Sequence, residues 1–185
     1  MLAGVGGQGV LSLAAILAEA ARREGMVVKQ GEVHGMAQRG GAVQANLRLA
    51  TEPIESDLIP RGGADLILGL EPIEALRYLD YLAPGGRLMT SAAPVDNIPD
   101  YPPLEEVLAA VGGIPGSLVI DADAMAREAG TPRAANMVMA GAASVVLPIS
   151  AATIEDCVRE GLAPKGGRAV EAGLRAFRAG RAAAA

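Results

Sequence analysis

The stretch GVGGQG, residues 4–9, puts four glycines in six positions, and the apolar run VLSLAAILAEAARRE (10–24) follows at once. Glycine reaches backbone conformations that other residues avoid, so this stretch reads as a tight turn. The run behind it reads as a helix. Val10, Leu13, Ala14, Leu17 and Ala21 share one face at helical spacing, and Leu11 and Ile16 widen it. Glu19, Arg22, Arg23 and Glu24 gather at its end, and Gly25 is a natural stop. A glycine turn that opens a helix exposes N–H groups at the positive helix end, where a phosphate or carboxylate is held well. Gly4, Gly6 and Gly9 also have the spacing of a dinucleotide fingerprint. That fingerprint calls for a preceding strand and an acid about 20 residues on. Glu32 supplies the acid, but only Met1, Leu2 and Ala3 precede Gly4, too short a run to predict a convincing strand. From the loop alone, an anion site and a purely structural turn both stay open.

Beyond the first helix the pattern alternates. Residues 26–30 read as a strand, and AVQANLRLA (42–50) alternates like a half-exposed one. ADLILGL (64–70) has the continuous apolar character of a central strand. A helix is expected over 71–82 with Pro72 in its first turn, then a PGG turn into a strand at 87–90. Residues 93–103 are Pro-rich and irregular, and a short helix, LEEVLAAV, follows them. SLVI (117–120) reads as a buried strand, with a helix beginning at Asp121. Thr131 and Pro132 mark the start of a helix over 131–148, and ATIEDCVREGL and GGRAVEAGLRAFRAG close the chain as two more. Strands alternating with helices predict an α/β, Rossmann-like three-layer fold with a mostly parallel sheet. No repeat or boundary is visible, so residues 1–185 are expected to form one domain.

Composition removes several function classes. The net charge is −5, there are no basic runs, and the aromatic residues are three Tyr and one Phe. A nucleic-acid binder would show a basic face with stacking rings. No apolar run approaches the roughly 20 residues of a membrane helix, and no signal-peptide pattern is visible. The expected setting is the cytoplasm. The lone Cys157 excludes an internal disulfide and a cysteine-ligated cluster within the chain. A single His, with no nucleophile elbow, gives no hydrolytic triad.

A second unusual stretch, GEVHGMAQRGGAVQANLRL (31–49), holds that only His. It is expected to present His34, Gln38 and Arg39 on a loop constrained by Gly40 and Gly41. Arg39 offers a planar fork for carboxylate or phosphate. A loop hydrogen bond for His34 and a structural tie for Arg39 are the plainer readings. GVGGQGV followed by EVHGMAQRGGAV resembles the gamma-type subunits of 2-oxoacid:ferredoxin oxidoreductases. The resemblance continues through ADLILGLEPIEALRYLDYLAPGG and ANMVMAGAAS to LRAFRAG, nearly the whole chain in order. HGMAQRGG and GLEPIEALR look most like the aryl 2-oxoacid, indolepyruvate-type branch.

That resemblance implies a place in an enzyme that oxidatively decarboxylates a 2-oxoacid to an acyl-CoA. It implies thiamine diphosphate, magnesium and 4Fe-4S clusters on a large alpha subunit, coenzyme A as co-substrate, and ferredoxin as the electron acceptor. No catalytic residue and no metal is expected on this chain. The motif positions carried over are Gly4, Gly6, Gly7, Gln8 and Gly9, then His34, Gly35, Met36, Gln38, Arg39, Gly40 and Gly41, with Glu71 and Asn136 further on. The expected arrangement sets the two glycine loops together at the C-terminal edge of the sheet, against the large subunit, as phosphate- or substrate-binding or interface loops. Two other classes remain beside it: a stand-alone dinucleotide-dependent oxidoreductase and a non-catalytic nucleotide-binding or assembly module. Outside the loops, Asp121 and Asp123 read as helix caps before metal ligands. Glu71 is expected to favour a helix N-terminus, with a place near the partner's active site as its other reading. Asn136 is expected to make a structural hydrogen bond, and Cys157 to pack as an apolar residue.

Overall fold

The computed structural model describes residues 1–35, 40–96 and 98–185. Six strands form one sheet in the order β2-β3-β1-β4-β5-β6. The strands are β1 (Leu2–Val5), β2 (Val27–His34), β3 (Ala42–Ala50), β4 (Ala64–Gly69), β5 (Leu82–Ser91) and β6 (Leu118–Ile120). The pairs β1–β4, β4–β5 and β5–β6 are parallel, whereas β3 runs antiparallel to both β1 and β2. Five strands therefore point one way and β3 alone points back.

β1 corrects the expectation that three residues before Gly4 make no convincing strand. All four of its residues are buried, and both of its edges are paired, Leu2 with Ala45 on one side and Leu68 on the other. A strand hydrogen-bonded on both edges needs little length. β2 is also longer than the 26–30 segment expected. Its pairing with β3 runs unbroken from Val27 and Ala50 to His34 and Val43, so His34 ends a strand and does not sit in a loop. The PGG of residues 84–86 lies inside β5, where the register against β4 shifts between Ala64 and Leu66 and Gly85 takes φ +80°. The expected turn is a bulge.

Seven α-helices cover the described residues: α1 (Val10–Arg23), α2 (Pro72–Arg77), α3 (Leu104–Gly112), α4 (Ala122–Glu128), α5 (Ala135–Ala143), α6 (Ala151–Leu162) and α7 (Gly167–Ala184). α2 is shorter than the helix expected over 71–82, because a single 3-10 turn at Leu79–Tyr81 delivers the chain into β5. α5 stops at Ala143 and not at 148. There the Ser144 hydroxyl donates to Gly141 O at 2.6 Å, and the Arg181 guanidinium donates to Ser144 O at 2.9 Å, which satisfies the last carbonyls.

Alternation along the central strands divides the core. Leu68 and Met89 face a large cluster with α1, α4, α5, α6 and α7, while Ile67 and Leu88 face a smaller one with α2 and α3. Helices thus cover both faces of the sheet, as a central strand's apolar run requires. α5 crosses α7 at its two glycines. A Cβ on Gly141 would lie 1.8 Å from Phe177 O, and one on Gly180 would lie 1.9 Å from Val138 O. That approach seals Phe177, the chain's one phenylalanine, from solvent.

Gln8 ties the first turn to the sheet. Val5 N–H donates to its Oε1 at 2.8 Å, and its Nε2 donates to Leu70 O at 2.9 Å. One carboxamide thus joins the ends of β1 and β4. Gly4 leaves the room for it, since a Cβ there would stand 2.8 Å from Gln8 Oε1.

Three stability outcomes follow, all read from urea unfolding of the full chain. Gly180→Ala lowers stability by about 3 kcal/mol or more, because the helices must separate. Gly112→Ala, where a Cβ meets no heavy atom within 4 Å, gains about 0.5 kcal/mol. Gln8→Ala leaves Val5 N–H and Leu70 O without their partner and costs about 1–3 kcal/mol. A midpoint unmoved by Gln8→Ala would show that water replaces the bridge.

Candidate functional site at the C-terminal edge of the sheet

β1, β4, β5 and β6 all end on one side, where ligand sites of open α/β sheets form. The glycine loop leaves β1 there. Gly7 and Gly9 take φ +106° and +85°, and Gly9 opens α1 with no side-chain cap and no acid in the first turn. Leu13 is the first amide of this helix with a backbone acceptor, Gly9 O at 3.0 Å. The amides of Val10, Leu11 and Ser12 precede that ladder and have no acceptor within the helix.

The second loop meets the first through the backbone. Gly6 N–H donates to Gly41 O at 2.8 Å, and Gly40 N–H donates to Gly6 O at 3.3 Å. A cavity of about 280 Å³ opens here, lined by Gly6, Gly7 and Gly9, by Leu11 and Ser12 of α1, and by His34 at the end of β2. The structure thus brings Gly6, Gly7, Gly9, His34, Gly40 and Gly41 together. Gln8 belongs to the same turn, but its carboxamide is engaged by Val5 and Leu70. Met36, Gln38 and Arg39 lie outside the described residues. His34 is exposed, with Nδ1 3.2 Å from Gly35 O and Nε2 3.9 Å from Glu32 Oε1.

The same geometry disfavours the dinucleotide reading. There, the acid ends a strand directly beside β1. Here β3 stands between β1 and β2. Glu32 pairs with Ala45, which pairs with Leu2, so Glu32 is level with the start of β1 and two strands away. That is about 10 Å to the side, at the wrong end of the strand.

Next to the loop, Glu71 is buried and caps α2, its Oε2 accepting from Glu74 N–H at 2.8 Å. Its Oε1 accepts from the Tyr101 hydroxyl at 2.5 Å, and Val95 N–H approaches it at 3.5 Å. The Pro-rich passage is thereby pinned across the ends of β4 and β5. Burial, reinforced by the Glu71 carboxylate, pushes the Tyr101 hydroxyl well above the usual tyrosine range, so it stays a donor. Asp121 caps α4 through Ala124 N–H at 2.9 Å, and Thr131 accepts from Arg133 N–H at 3.3 Å.

Asn136 departs from expectation. It is half-buried and makes no side-chain hydrogen bond among the described residues. Its amide instead lies over Gly9, where a Cβ would stand 2.5 Å from Nδ2. Ser12, Tyr101 and the Asn136–Gly9 contact are the parts of this site that sequence reasoning missed. The one available signal was Tyr101, a lone aromatic within the irregular passage.

Donor chemistry tests the metal groups implied by the resemblance. Cys157 is buried on α6, where desolvation raises its thiol pKa, and no three His, Cys, Asp or Glu side chains among the described residues come together as a metal site. These residues do not fit an iron–sulfur cluster or a magnesium–diphosphate site. No helix of the described residues is long and apolar enough to cross a membrane.

Comparison with known proteins agrees with this architecture. The family model of pyruvate ferredoxin/flavodoxin oxidoreductase matches residues 1–183. Indolepyruvate oxidoreductase subunit IorB of Thermococcus kodakarensis is 39% identical over 190 residues, covering 97% of this chain and 92% of that protein. The IorB subunit of Pyrococcus horikoshii is also 39% identical, over 96% of this chain and 91% of its own. Among solved structures, the 2-oxoglutarate:ferredoxin oxidoreductase of Magnetococcus marinus, with 2-oxoglutarate, coenzyme A and succinyl-CoA bound, superposes with a TM-score of 0.76 at 24% identity. That match covers 99% of this chain and 30% of the larger one, and it shows the shared fold. With nearly its whole length matched by the family model and by IorB subunits, the chain belongs to the 2-oxoacid:ferredoxin oxidoreductase family.

Proposed function

We propose that the chain is the small subunit of a cytoplasmic indolepyruvate:ferredoxin oxidoreductase, and that its glycine-loop edge faces the large subunit's active site. The IorB relatives support the substrate class. In this reading thiamine diphosphate, magnesium and the iron–sulfur clusters belong to the large alpha subunit, and ferredoxin takes the electrons from the complex. The chain itself binds and orients. One observation carries its role: the N-terminus of α1 has no cap and no acid, and it opens into the cavity beside His34. The free amides of Val10, Leu11 and Ser12, at the positive helix end, suit a phosphate of coenzyme A or the carboxylate of the oxoacid. The Asn136 amide closes over Gly9 from the neighbouring helical cavity. Val33, 58% exposed next to His34, gives the hairpin an apolar contact for the large subunit. Arg39, outside the described residues, is proposed as a second anion contact on the grounds of its chemistry and its motif alone.

Co-expression with the large subunit and an assay of dye or ferredoxin reduction test the assignment. Indolepyruvate should give the highest kcat/KM, ahead of phenylpyruvate, with pyruvate last. A preference for pyruvate, or failure of the two chains to copurify, refutes it. Ser12→Asp supplies a competing carboxylate to the helix end. It should raise the KM for coenzyme A or oxoacid about tenfold while the complex stays assembled. Arg39→Ala should raise the same KM. An unchanged KM for both substrates in both variants would leave the edge with an interface role alone.

A further inference from the structure

A second and larger cavity, of about 860 Å³, lies in the helical layer between α1, the start of α5, α6 and the start of α7. This size falls in the range of about 300–1,000 Å³ found for small-molecule sites. Its walls are apolar where Ala15, Leu162 and Ala169 line it, and these three keep exposed surface. Its rim is cationic. Arg133, Lys165 and Arg168, from three separate segments, line it and are exposed.

The rim is unusual in its unpaired charge. Across the described residues, Arg22, Arg23, Arg61, Arg77, Arg159, Arg175 and Arg178 sit against carboxylates. Lys29, Arg48 and Arg181 donate to carbonyls. The cations with neither kind of side-chain partner are Arg87, Arg127, Arg133, Lys165 and Arg168. The last three share one cavity, in a chain whose net charge is −5. Two acids also line the cavity, Glu19 and Glu160, but Arg23 holds both, at 2.9 and 2.6 Å, and Arg22 adds a second partner for Glu19. The unpaired charge is therefore positive, and it rims an apolar pit.

We infer that this cavity binds an amphiphilic organic anion, with its phosphate or carboxylate head held by Arg133, Lys165 and Arg168 and its apolar body against Ala15, Leu162 and Ala169. Guanidinium groups fork onto such heads, and Lys165 adds a point charge. An inorganic anion would leave the apolar walls wet, and a neutral amphiphile would leave the three cations unpaired. The site is separate from the glycine-loop cavity, which it borders only at Ser12.

Calorimetric titration of the full chain, and of its complex with the large subunit, provides the test. Decyl phosphate and decanoate are the probes, with decanol and inorganic phosphate as half-ligands. Saturable 1:1 binding of at least one probe is expected, at least about tenfold tighter than either half-ligand. The Arg133→Ala/Lys165→Ala/Arg168→Ala variant should lose at least about tenfold in affinity, with an unchanged urea midpoint, since all three side chains are exposed. Arg87→Ala/Arg127→Ala, which removes the two unpaired cations elsewhere, should bind like the parent. The tighter of the two probes identifies the head group. Absence of saturable binding overturns the proposal, as does equal loss in the control variant. So does loss of binding when the large subunit assembles, because the cavity would then be part of the interface. Displacement of the probe by coenzyme A or indolepyruvate overturns it as well and leaves the glycine-loop assignment untouched.

Discussion

One carboxamide holds the first turn in place. Gln8 accepts from Val5 N–H and donates to Leu70 O, so the ends of two neighbouring parallel strands are joined through a side chain that arises between them. The constraint reaches outward. Gly4 must lack a Cβ because Gln8 occupies that space, and Gly7 must adopt positive φ for the chain to turn back into α1. The turn therefore leaves its helix end uncapped. A residue with a capping side chain at position 9 would need φ +85° and would strike Asn136, so the amides of the first turn stay available.

Insertion of β3 beside β1 is the second determinant. It moves β2 to the sheet edge and brings Gly40 and Gly41 onto Gly6 through backbone hydrogen bonds. A dinucleotide site needs the neighbouring parallel strand to carry its acid beside the glycine loop. A hairpin in that place gives a second loop on the same rim instead. The glycine spacing is thus shared with dinucleotide-binding proteins, while the strand order removes the partner that gives the spacing its usual meaning.

What the sequence discloses depends on how local the cause is. α1 is legible because its apolar face recurs at helical spacing, and β3 because it alternates from Val43 to Leu49. Asp121 and Thr131 are legible as caps because each bonds an amide two or three residues on. β1 is not, since its stability comes from β3 and β4, about 40 and 65 residues away in sequence. The end of β2 is hidden for the same reason: Glu32, Val33 and His34 are strand residues only because β3 pairs with them. PGG misleads because a bulge and a turn use the same residues. In the candidate site, the glycines are readable from their density. Ser12 reads as one polar position on a helix, and Tyr101 reaches Glu71 only after the Pro-rich passage folds back over 30 residues.

The Asn136–Gly9 contact joins these two levels. Asn136 begins α5, and α5 is positioned by its crossing with α7 through Gly141 and Gly180. The helical layer therefore fixes the amide that lies over the loop, and the loop's glycine in turn admits that amide. A shift of α5 along α7 would move the Asn136 amide off Gly9, or drive it into the α1 N-terminus. Interiors packed this closely transmit strain and do not absorb it. The end of α1 and the cavity behind it are lined in common by Ser12, and Asn136 stands between Gly9 and that same cavity. Asn136 therefore belongs to the lining of the helical cavity and at the same time limits position 9 to glycine, so a packing choice in the helical layer fixes a residue type in the loop.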